Sequence, residues 1–359
     1  MQSIPIFNWT SNRLIDTNKL VPLMPSFDRY IEPFVGGGRV YSALDAKATA
    51  LLNDIDPFVI SFYKELQNES SHLKQEIDTL IADWETIERF FTFVKADLET
   101  VTQDLKEQIL TIQDVPYVLR TIFALNMHQP DFESLFDIKN IIDQDTLIEL
   151  LIQSCIGQYK RIKCTTFEPI SDVTIKNGYF NHLRYLNNNW EHYKKVANKK
   201  RLAIWYFVNL LSDTARISYS NIEKVTLPFP KNAPTTKELK KEITRIFSSE
   251  IKTLISNTTF SNLDYKAFIT TLNLTPDDFV FLDPPFNAKY IHYEHDAFNP
   301  EEYTQLAEVI ATIPSKWMLL IKESDFNRAL YKHTEIFVKK APLIDNNDFN
   351  LLIITNYSL

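Results

Sequence analysis

The chain has 359 residues, of which 45% are hydrophobic and 23% are charged, and its formal net charge is −8. This composition is typical of a folded globular protein and excludes a chain that is disordered throughout, and the length predicts two domains or one domain with a large insertion. No apolar run reaches the roughly 18 residues that a membrane span needs, and the first residues do not combine a charged segment with an apolar stretch, so we predict neither a membrane span nor a signal peptide.

The first predicted element is a strand that leads into a glycine-rich turn. Apolar side chains give residues 28–35 the character of a strand, and three consecutive glycines, residues 36–38, follow in a chain that has only 5 glycines. Glycine adopts backbone conformations closed to other residues and lets a ligand approach the main chain. We predict a ligand-binding turn here, with a helix over residues 39–47 after it. The alternative is a tight turn that binds nothing.

The second predicted strand, residues 48–55, ends in acid. It runs into Asn53-Asp54-Ile55-Asp56, and Pro57 then begins a helix for which Asp56 is the candidate N-cap. A strand, a glycine turn, a helix and a second strand that ends in an acid form the opening of a doubly wound nucleotide-binding sheet. In such a sheet the acid accepts hydrogen bonds from ribose hydroxyls, and Asp54 is the candidate here.

The middle of the chain is predicted to be helical. Its first helix is marked by apolar residues at helical spacing, namely Leu73, Ile77, Leu80, Ile81, Trp84 and Ile87. Residues 66–150 carry 6 basic and 17 acidic residues, whereas residues 159–252 carry 18 basic and 8 acidic ones, a net charge of +10. The basic segment indicates a local anion-binding surface, and the alternative is a solvated lysine-rich face.

Cysteine and histidine usage argues against a disulfide framework or a metal site. The two cysteines, Cys155 and Cys164, are too few for a set of disulfides or a cysteine-rich zinc site, and they favour a reducing, cytoplasmic location. His292 and His295 lie close together in the sequence, but no third ligand of suitable type is near them. We therefore predict no metal site.

Strand character returns in the last quarter of the chain. Residues 277–282 form an apolar run that is followed at once by Asp283-Pro284-Pro285-Phe286, and a helix that Asn299 caps is predicted over residues 300–313. Further strands are predicted at residues 317–321, 334–338 and 351–355. The α/β pattern thus stops after residue 66 and resumes near residue 277, which predicts one α/β domain interrupted by a helical and basic insertion.

The Asp283-Pro284-Pro285-Phe286 sequence has the chemistry of a site for a planar amine. Two prolines end a strand and stiffen the loop, and because they lack N–H donors the main chain presents carbonyl acceptors there. Asp283 adds a carboxylate acceptor and Phe286 adds a flat aromatic face. Acceptors beside a stacking ring suit the exocyclic amino group of a base. The alternative is an ordinary proline turn at the end of a strand.

Together these motifs resemble those of the Dam-type adenine-specific DNA methyltransferases, the D12 class. Residues 32–38 (Glu-Pro-Phe-Val-Gly-Gly-Gly) resemble the family's cofactor motif, Asp54 its ribose-binding acid, and residues 283–286 its catalytic motif. Trp9 stands where the family has an N-terminal tryptophan, and Arg13 stands in place of the family's lysine. Residues 205–229 resemble the family's DNA-reading hairpin, with Arg216 at a base-reading arginine and Pro228 at the hairpin's return.

The resemblance implies an α/β fold: a Rossmann-like class I methyltransferase sheet of about seven strands, interrupted by a large helical and basic insertion. Residues 1–66 and 265–359 would form the catalytic domain, and residues 67–264 the insertion with the DNA target-recognition region. S-adenosyl-L-methionine would be the methyl donor, and double-stranded DNA the substrate. A cognate restriction endonuclease is a candidate partner, and the protein would be of bacterial or phage origin.

The residues that this interpretation implicates fall into three sets. The catalytic set is Asp283, Pro284, Pro285 and Phe286. The donor-binding set is Trp9, Arg13, Glu32, Phe34, Gly36, Gly38, Asp54, Ile55 and Asp283. The DNA-binding set, in which the lysine cluster comes from the charge pattern, is Lys194, Lys195, Lys199, Lys200, Arg201, Arg216 and Pro228. Two alternatives stay open: the same amine methylation on cytosine N4, on RNA or on a side-chain amide, and a non-catalytic DNA-binding protein on the same scaffold.

Overall fold

A computed structural model gives the fold of most of the chain. It describes residues 4–9, 16–44, 49–127, 129–132, 144–161, 168–193, 198–212, 218–220, 224–226, 229–285, 298–340 and 350–359. The chain divides into two compact units. The first comprises Met1–Ser70, Thr214–Thr226 and Thr244–Leu359, and the second comprises Ser71–Asp213 and Leu227–Ile243.

The strands and helices of the described residues are numbered here in chain order. The strands are β1 (Arg29–Glu32), β2 (Thr49–Asn53), β3 (Ser218–Ser220), β4 (Lys224–Thr226), β5 (Thr258–Ser261), β6 (Asp278–Leu282), β7 (Lys316–Lys322), β8 (Glu335–Lys340) and β9 (Asn350–Thr355). The helices are α1 (Thr17–Leu20), α2 (Pro57–Gln67), α3 (Ser71–Lys106), α4 (Val115–Met127), α5 (Gln144–Arg161), α6 (Asp172–Asn188), α7 (Asn198–Leu211), α8 (Thr236–Ile246), α9 (Ser249–Ile255), α10 (Tyr265–Thr271), α11 (Pro300–Ala311) and α12 (Asp325–Leu330).

The first unit is built on a seven-stranded sheet in the order β5-β2-β1-β6-β7-β9-β8. Strands β5, β2, β1, β6 and β7 pair in parallel, whereas β9 is antiparallel to both of its neighbours, β7 and β8. All five residues of β6 are buried, as expected for a central strand with both faces covered. The short antiparallel pair β3–β4 also belongs to this unit.

Two helices of the first unit begin at the predicted N-cap residues. The Asp56 side chain accepts a hydrogen bond from the Phe58 amide at 2.8 Å, and Pro57 occupies the first turn of α2. The Asn299 side chain accepts from the Glu302 amide at 3.0 Å at the start of α11. Both predicted caps are therefore confirmed, and each satisfies an amide that the helix itself leaves without a partner.

Two expectations for this unit are corrected. The helix predicted over residues 39–47 is, where described, only the 3₁₀ turn Tyr41–Ala43; residues 45–48 lie outside the described part. The turn ends because Leu44 is extended, and the buried Tyr41 hydroxyl is anchored on Leu254 and Thr258. Strand β5 lies inside the range 67–264 that was assigned to the insertion, so the sheet resumes before residue 265.

The second unit is helical. The apolar stripe predicted from residue 73 to residue 87 is buried along α3, which confirms an amphipathic helix in this region. Lys176 of α6 is only 4% exposed and forms ion pairs with Glu88 at 2.8 Å and Asp172 at 3.3 Å. Its ammonium group also lies 5.5 Å from the centre of the Trp84 ring. Part of the basic charge of residues 159–252 is thus neutralised by ion pairs inside this unit.

A pair of glycines in the second unit gives a test of helix packing. A Cβ at Gly178 of α6 would lie 2.8 Å from the Leu151 Cα of α5, whereas a Cβ at Gly157 of α5 meets nothing within 4 Å. Gly178→Ala should destabilise the protein by about 1–3 kcal/mol, because the two helix backbones must separate. Gly157→Ala should be neutral or stabilise by up to about 1 kcal/mol.

Urea unfolding followed by circular dichroism measures both changes. If Gly178→Ala unfolds at the same urea concentration as the parent while Gly157→Ala behaves as expected, the close approach of α5 and α6 contributes nothing to stability.

Within the described residues, no helix has the length and apolar character required to cross a membrane.

Candidate active site

Three neighbouring strands of the sheet end at one edge. Strand β1 lies between β2 and β6, and all three run in parallel, with Glu32 beside Leu52 and Ile31 beside Val280. The residues that follow these strands therefore emerge together at the carboxyl edge of the sheet. The glycine turn follows β1, Asp54 follows β2 and Asp283 follows β6. The sequence motifs that lie far apart in the chain are thus brought to one edge of the first unit.

Asp54 ties the glycine turn to the end of β2. Its Oδ2 accepts the Gly36 amide at 2.9 Å, and its Oδ1 accepts the Asp56 amide at 2.9 Å. Burial raises the pKa of Asp54 to about 7, although the hydrogen bonds from the Asp56 and Gly36 amides act to lower it. The carboxyl therefore changes its charge near neutral pH while it holds the turn in place.

Two asparagines fix the loops on either side of Asp54. The side-chain amide of Asn53 donates to the Pro33 carbonyl at 3.1 Å and to the Leu263 carbonyl at 2.9 Å. The side-chain amide of Asn262 donates to the backbone carbonyl of Asp54 at 2.8 Å and to that of Ile55 at 2.9 Å. The backbone of Ile55 is held in this way, and the residue is 68% exposed. The residue that follows Asp54 in the chain therefore presents an apolar surface.

The glycine turn is covered by protein side chains. Gly36 and Gly38 have φ angles of +46° and +66°, which favour glycine. A Cβ would lie 2.4 Å from the Trp9 ring at Gly36 and 2.4 Å from the Tyr63 hydroxyl at Gly38. The space beside the missing side chains is therefore taken by Trp9 and Tyr63. The structure thus places the Trp9 ring against the turn.

The N-terminal segment that carries Trp9 is held by backbone contacts. The Ile6 amide donates to the Gly37 carbonyl at 2.9 Å. The Arg245 guanidinium, near the end of α8, donates to the Pro5 carbonyl at 3.1 Å and to the Ile6 carbonyl at 2.8 Å. Two separate parts of the first unit thus fix this segment against the turn, and nothing in the local sequence indicated the part of Arg245.

Glu32 is a buried carboxyl at the end of the central strand. It is 3% exposed, and its Oε2 accepts the Tyr30 hydroxyl at 3.0 Å. Burial raises the pKa of Glu32 well above its usual range, and the negative charges of Asp283 and Asp54 raise it further, against the hydrogen bond from Tyr30. The Glu32 carboxyl group therefore favours its uncharged form. The effect of Asp283 and Asp54 on its pKa indicates that it lies close to both of these acids.

The proline turn after β6 is anchored from α11. Pro284 is buried, whereas Pro285 is exposed and Asp283 is half-buried. The Tyr303 hydroxyl donates to the Pro285 carbonyl at 3.0 Å. Phe286, expected to stack on a base, lies outside the described residues, as do His292 and His295. Elsewhere in the described part, no group of three or more metal-binding side chains is found.

Aromatic rings link the cofactor motif to α11. The Phe34 ring lies 5.2 Å from that of Tyr265 and 5.8 Å from that of Phe298, and Phe298 packs edge-on against Tyr303 at 4.9 Å. No motif in the sequence indicated Tyr265, Phe298 or Tyr303. A strand assignment at β5 would have placed Tyr265 at the same edge as Asp54, because it follows that strand by a few residues.

The DNA-binding residues inferred from sequence are only partly described. Lys194, Lys195, Arg216 and Pro228 lie outside the described residues, as does Arg13 of the donor-binding set. The hairpin β3–β4 does fall within the range 205–229 that resembles the family's DNA-reading hairpin, but Trp205 and the residues up to Leu211 are helical.

Lys199, Lys200 and Arg201 form the first turn of α7 in the second unit and are each half-buried. Burial lowers the pKa of Lys200, while the negative charges of Glu76 and Asp83 act to raise it. Burial also lowers the pKa of Arg201, while the negative charge of Glu191 acts to raise it. The Arg201 guanidinium lies 5.9 Å from the centre of the Trp190 ring. This stretch is thus partly neutralised and partly packed within the unit.

The sheet order and the motifs at its carboxyl edge define the class of protein. Five parallel strands continue into an antiparallel pair in which β9 is inserted between β7 and β8, with helices in the connections. This is a Rossmann-like methyltransferase fold, and the predicted fold class is confirmed. The chain belongs to the D12 class N6 adenine-specific DNA methyltransferase family, whose family model matches residues 17–342.

Two relatives share parts of the sequence. The chain is 33% identical over 100 residues to a DNA N-6-adenine-methyltransferase of Escherichia phage P1, an alignment that covers 28% of this chain and 13% of the phage protein. It is 22% identical over 207 residues to the Type II methyltransferase M.CviBI of Paramecium bursaria Chlorella virus NC1A, which covers 56% of this chain and 75% of the viral protein. The chain thus spans only a small part of the phage relative's length.

Proposed function

We propose that this protein transfers a methyl group from S-adenosyl-L-methionine to the exocyclic N6 of adenine in double-stranded DNA. The observation that carries the proposal is the meeting of the Asp54–Gly36 pair and the Asp283-Pro284-Pro285 turn at the carboxyl ends of adjacent parallel strands. Ligands of open α/β sheets bind at this edge. The membership of the family supports the same reaction.

The residues at this edge fit the methyl donor. The Asp54 carboxylate accepts the Gly36 and Asp56 amides and interacts with the Ile55 amide, and because a carboxylate offers about four lone-pair sites, it can still accept a ribose hydroxyl. The exposed Ile55 side chain offers an apolar surface to the donor's adenine. The carboxyl groups of Asp54 and Asp283, which follow β2 and β6, suit a ligand whose sulfonium centre is positive.

The donor-binding residues then divide by what they contact. In this proposal Asp54, Ile55, Phe34 and Asp283 face the donor. Gly36 and Gly38 give the turn its shape, and Trp9 packs on it. Glu32 is too buried to be a surface contact and supports the site from inside the sheet. Arg13 stays a candidate contact for the donor.

The chemistry of the turn follows from its acceptors. Bound S-adenosyl-L-methionine supplies an electrophilic methyl group. Asp283 and the Pro284 carbonyl would accept hydrogen bonds from the two N–H groups of the adenine amine and so direct the nitrogen lone pair toward that methyl group. The nitrogen–carbon bond would form as the carbon–sulfur bond of the donor breaks, which leaves the thioether as the leaving group, and the amine would release one of its two protons. Prolines have no N–H that could compete for these acceptors. The contribution of the protein is position and electrostatics rather than covalent catalysis.

The target adenine must leave the DNA helix to reach this turn. Within a duplex the N6 amine is stacked and paired, so it cannot meet Asp283 and the donor together. We therefore propose that the base flips out and stacks on Phe286. Basic residues, namely Arg216 and the cluster from Lys194 to Arg201, remain the candidates for contacts with DNA phosphates. The name of the viral relative, a Type II methyltransferase, supports a cognate restriction endonuclease as a partner.

Charge substitution tests the DNA surface. Replacing Lys199, Lys200 and Arg201 with glutamine should weaken DNA binding and reduce the salt slope by about one unit for each lost phosphate contact. The control removes Lys74 and Lys95, which form surface ion pairs on the acidic α3, and should leave the slope unchanged. Fluorescence anisotropy at several salt concentrations measures both. An unchanged slope in the first variant would mean that this cluster only solvates or packs the second unit.

Transfer of labelled methyl groups tests the function. The protein is incubated with labelled S-adenosyl-L-methionine and double-stranded DNA, and the DNA is digested to nucleosides and analysed. We expect N6-methyladenine. N4-methylcytosine, or methylation of RNA alone, would identify the other amine as the substrate. Tight binding of the donor without transfer to any nucleic acid would support a non-catalytic DNA-binding protein instead.

A further inference from the structure

The proline turn depends on its carbonyl groups for support. Pro284 and Pro285 have no N–H, so neither can be held by donating a backbone hydrogen bond. The Pro285 carbonyl accepts the Tyr303 hydroxyl at 3.0 Å, from a residue 18 positions further along the chain. This contact therefore ties the exposed end of the turn to helix α11.

Tyr303 is itself firmly placed. It is 3% exposed and lies in the first turn of α11, where its amide donates to the Asn299 carbonyl at 3.0 Å. Asn299 caps the same helix through its side chain, and Pro300 begins it. On its other side the ring packs edge-on against Phe298 at 4.9 Å. The direction of the hydroxyl is thus set by a capped helix and by an aromatic neighbour.

The same contacts reach the cofactor motif. Phe298 packs against Phe34, which follows β1, and against Tyr265, which follows β5. The Tyr265 hydroxyl in turn donates to the Glu302 carboxylate at 3.2 Å, next to Tyr303 in the chain. The start of α11 therefore lies against both the loop that carries Phe34 and the turn that carries Asp283.

We propose that Tyr303 is a positioning residue for methyl transfer: its hydroxyl holds the Pro285 carbonyl and thereby fixes the direction of the Asp283 carboxylate and the Pro284 carbonyl. The inference rests on the proposed function. Tyr303 touches neither the donor nor the base in this arrangement; it acts through the turn. A displacement of a catalytic group by about 1 Å lowers a rate by up to roughly a hundredfold. Loss of a single hydrogen bond that holds such a group can therefore lower the rate of methyl transfer.

The test is Tyr303→Phe, which keeps the ring and its contact with Phe298 and removes only the hydroxyl. We expect kcat to fall about tenfold, with the single-turnover rate falling equally, and KM for the donor and for DNA to stay within about twofold. The matched control is Tyr357→Phe, because the Tyr357 hydroxyl donates to the Leu23 carbonyl at 3.1 Å in the same unit. It loses a bond of the same kind and should keep the parent kcat.

A double variant shows whether Tyr303 acts through Asp283. If it does, adding Tyr303→Phe to Asp283→Ala should lower the residual single-turnover rate by much less than it lowers the parent rate. The proposal is overturned if Tyr303→Phe keeps the parent kcat, if the two tyrosine variants lose rate equally, or if the loss is wholly in KM. Full additivity in the double variant also overturns it. A parent protein that transfers no methyl group would instead refute the proposed function.

Discussion

Replacing Asp283 with alanine is expected to lower the rate of methyl transfer to DNA by at least about a hundredfold, the usual scale for deleting one well-placed electrostatic group. Asp283 directly follows the buried strand β6, and the prolines after it leave carbonyls as the only other acceptors of the turn. The change removes the charged acceptor of the amine. It lies beyond the end of the strand, so the sheet and the DNA-binding surface should stay intact.

Asp283→Asn provides a finer test of the same role. Asparagine keeps an acceptor oxygen and the shape of the side chain but loses the charge, so it should retain more activity than alanine. Asp277→Ala is the control, because it removes an exposed acid at the opposite end of the same strand and should keep the parent rate. Single-turnover transfer of labelled methyl groups measures all three. Near-normal transfer by Asp283→Ala would show that Asp283 is not the acceptor on which the reaction depends.

Replacing Asp54 with alanine is expected to weaken binding of S-adenosyl-L-methionine by about 1.5–3 kcal/mol, or roughly 10- to 150-fold in Kd. The variant loses the acceptor for the ribose hydroxyls and releases the Gly36 amide from the end of β2. Asp56→Ser is the control: it removes a negative charge two residues away and keeps an N-cap for α2. Calorimetric titration of the donor measures both. Parent-like binding by Asp54→Ala would remove the ribose assignment.

The pH dependence of donor binding checks the same residue. Hydroxyl donors favour the charged carboxylate, and burial raises the pKa of Asp54 to about 7 in the free protein. Below that pH a proton must be released when the donor binds, so affinity should fall by up to about tenfold per pH unit. Above it the affinity should level off. In Asp54→Ala this dependence should disappear, and its persistence would assign the titration to another group.

The strands and motifs of the sheet could be predicted because they depend on local patterns. The apolar run at β6 and the sequence Asn53-Asp54-Ile55-Asp56 each contain their own signal, and the parallel sheet then brings their ends together. Strand β5 could not be predicted in this way. Its residues are Thr258-Thr259-Phe260-Ser261, and a single aromatic ring among small polar side chains gives little strand signal.

Other parts of the site depend on tertiary contacts that no local pattern records. The place of Trp9 over Gly36 depends on the path of the N-terminal segment and on the Arg245 hydrogen bonds. The short 3₁₀ turn in place of a helix depends on the anchoring of Tyr41 by a strand more than two hundred residues later. The link from Tyr303 to the proline turn depends on where α11 begins. Such contacts can be found only when the fold is known.

The interruption of the sheet by a helical unit has a consequence for how the chain folds as it is made. Strands β1 and β2 leave the ribosome first, yet their sheet neighbours β6 and β5 are among the later elements. Asn262, which ties β5 to Asp54, follows it by 208 residues. Pairings of such long sequence separation form slowly, whereas helices α5 and α6 meet across a short connection. The nascent protein must therefore keep two unpaired strand edges from aggregating until β5 and β6, more than two hundred residues further along, have been synthesised.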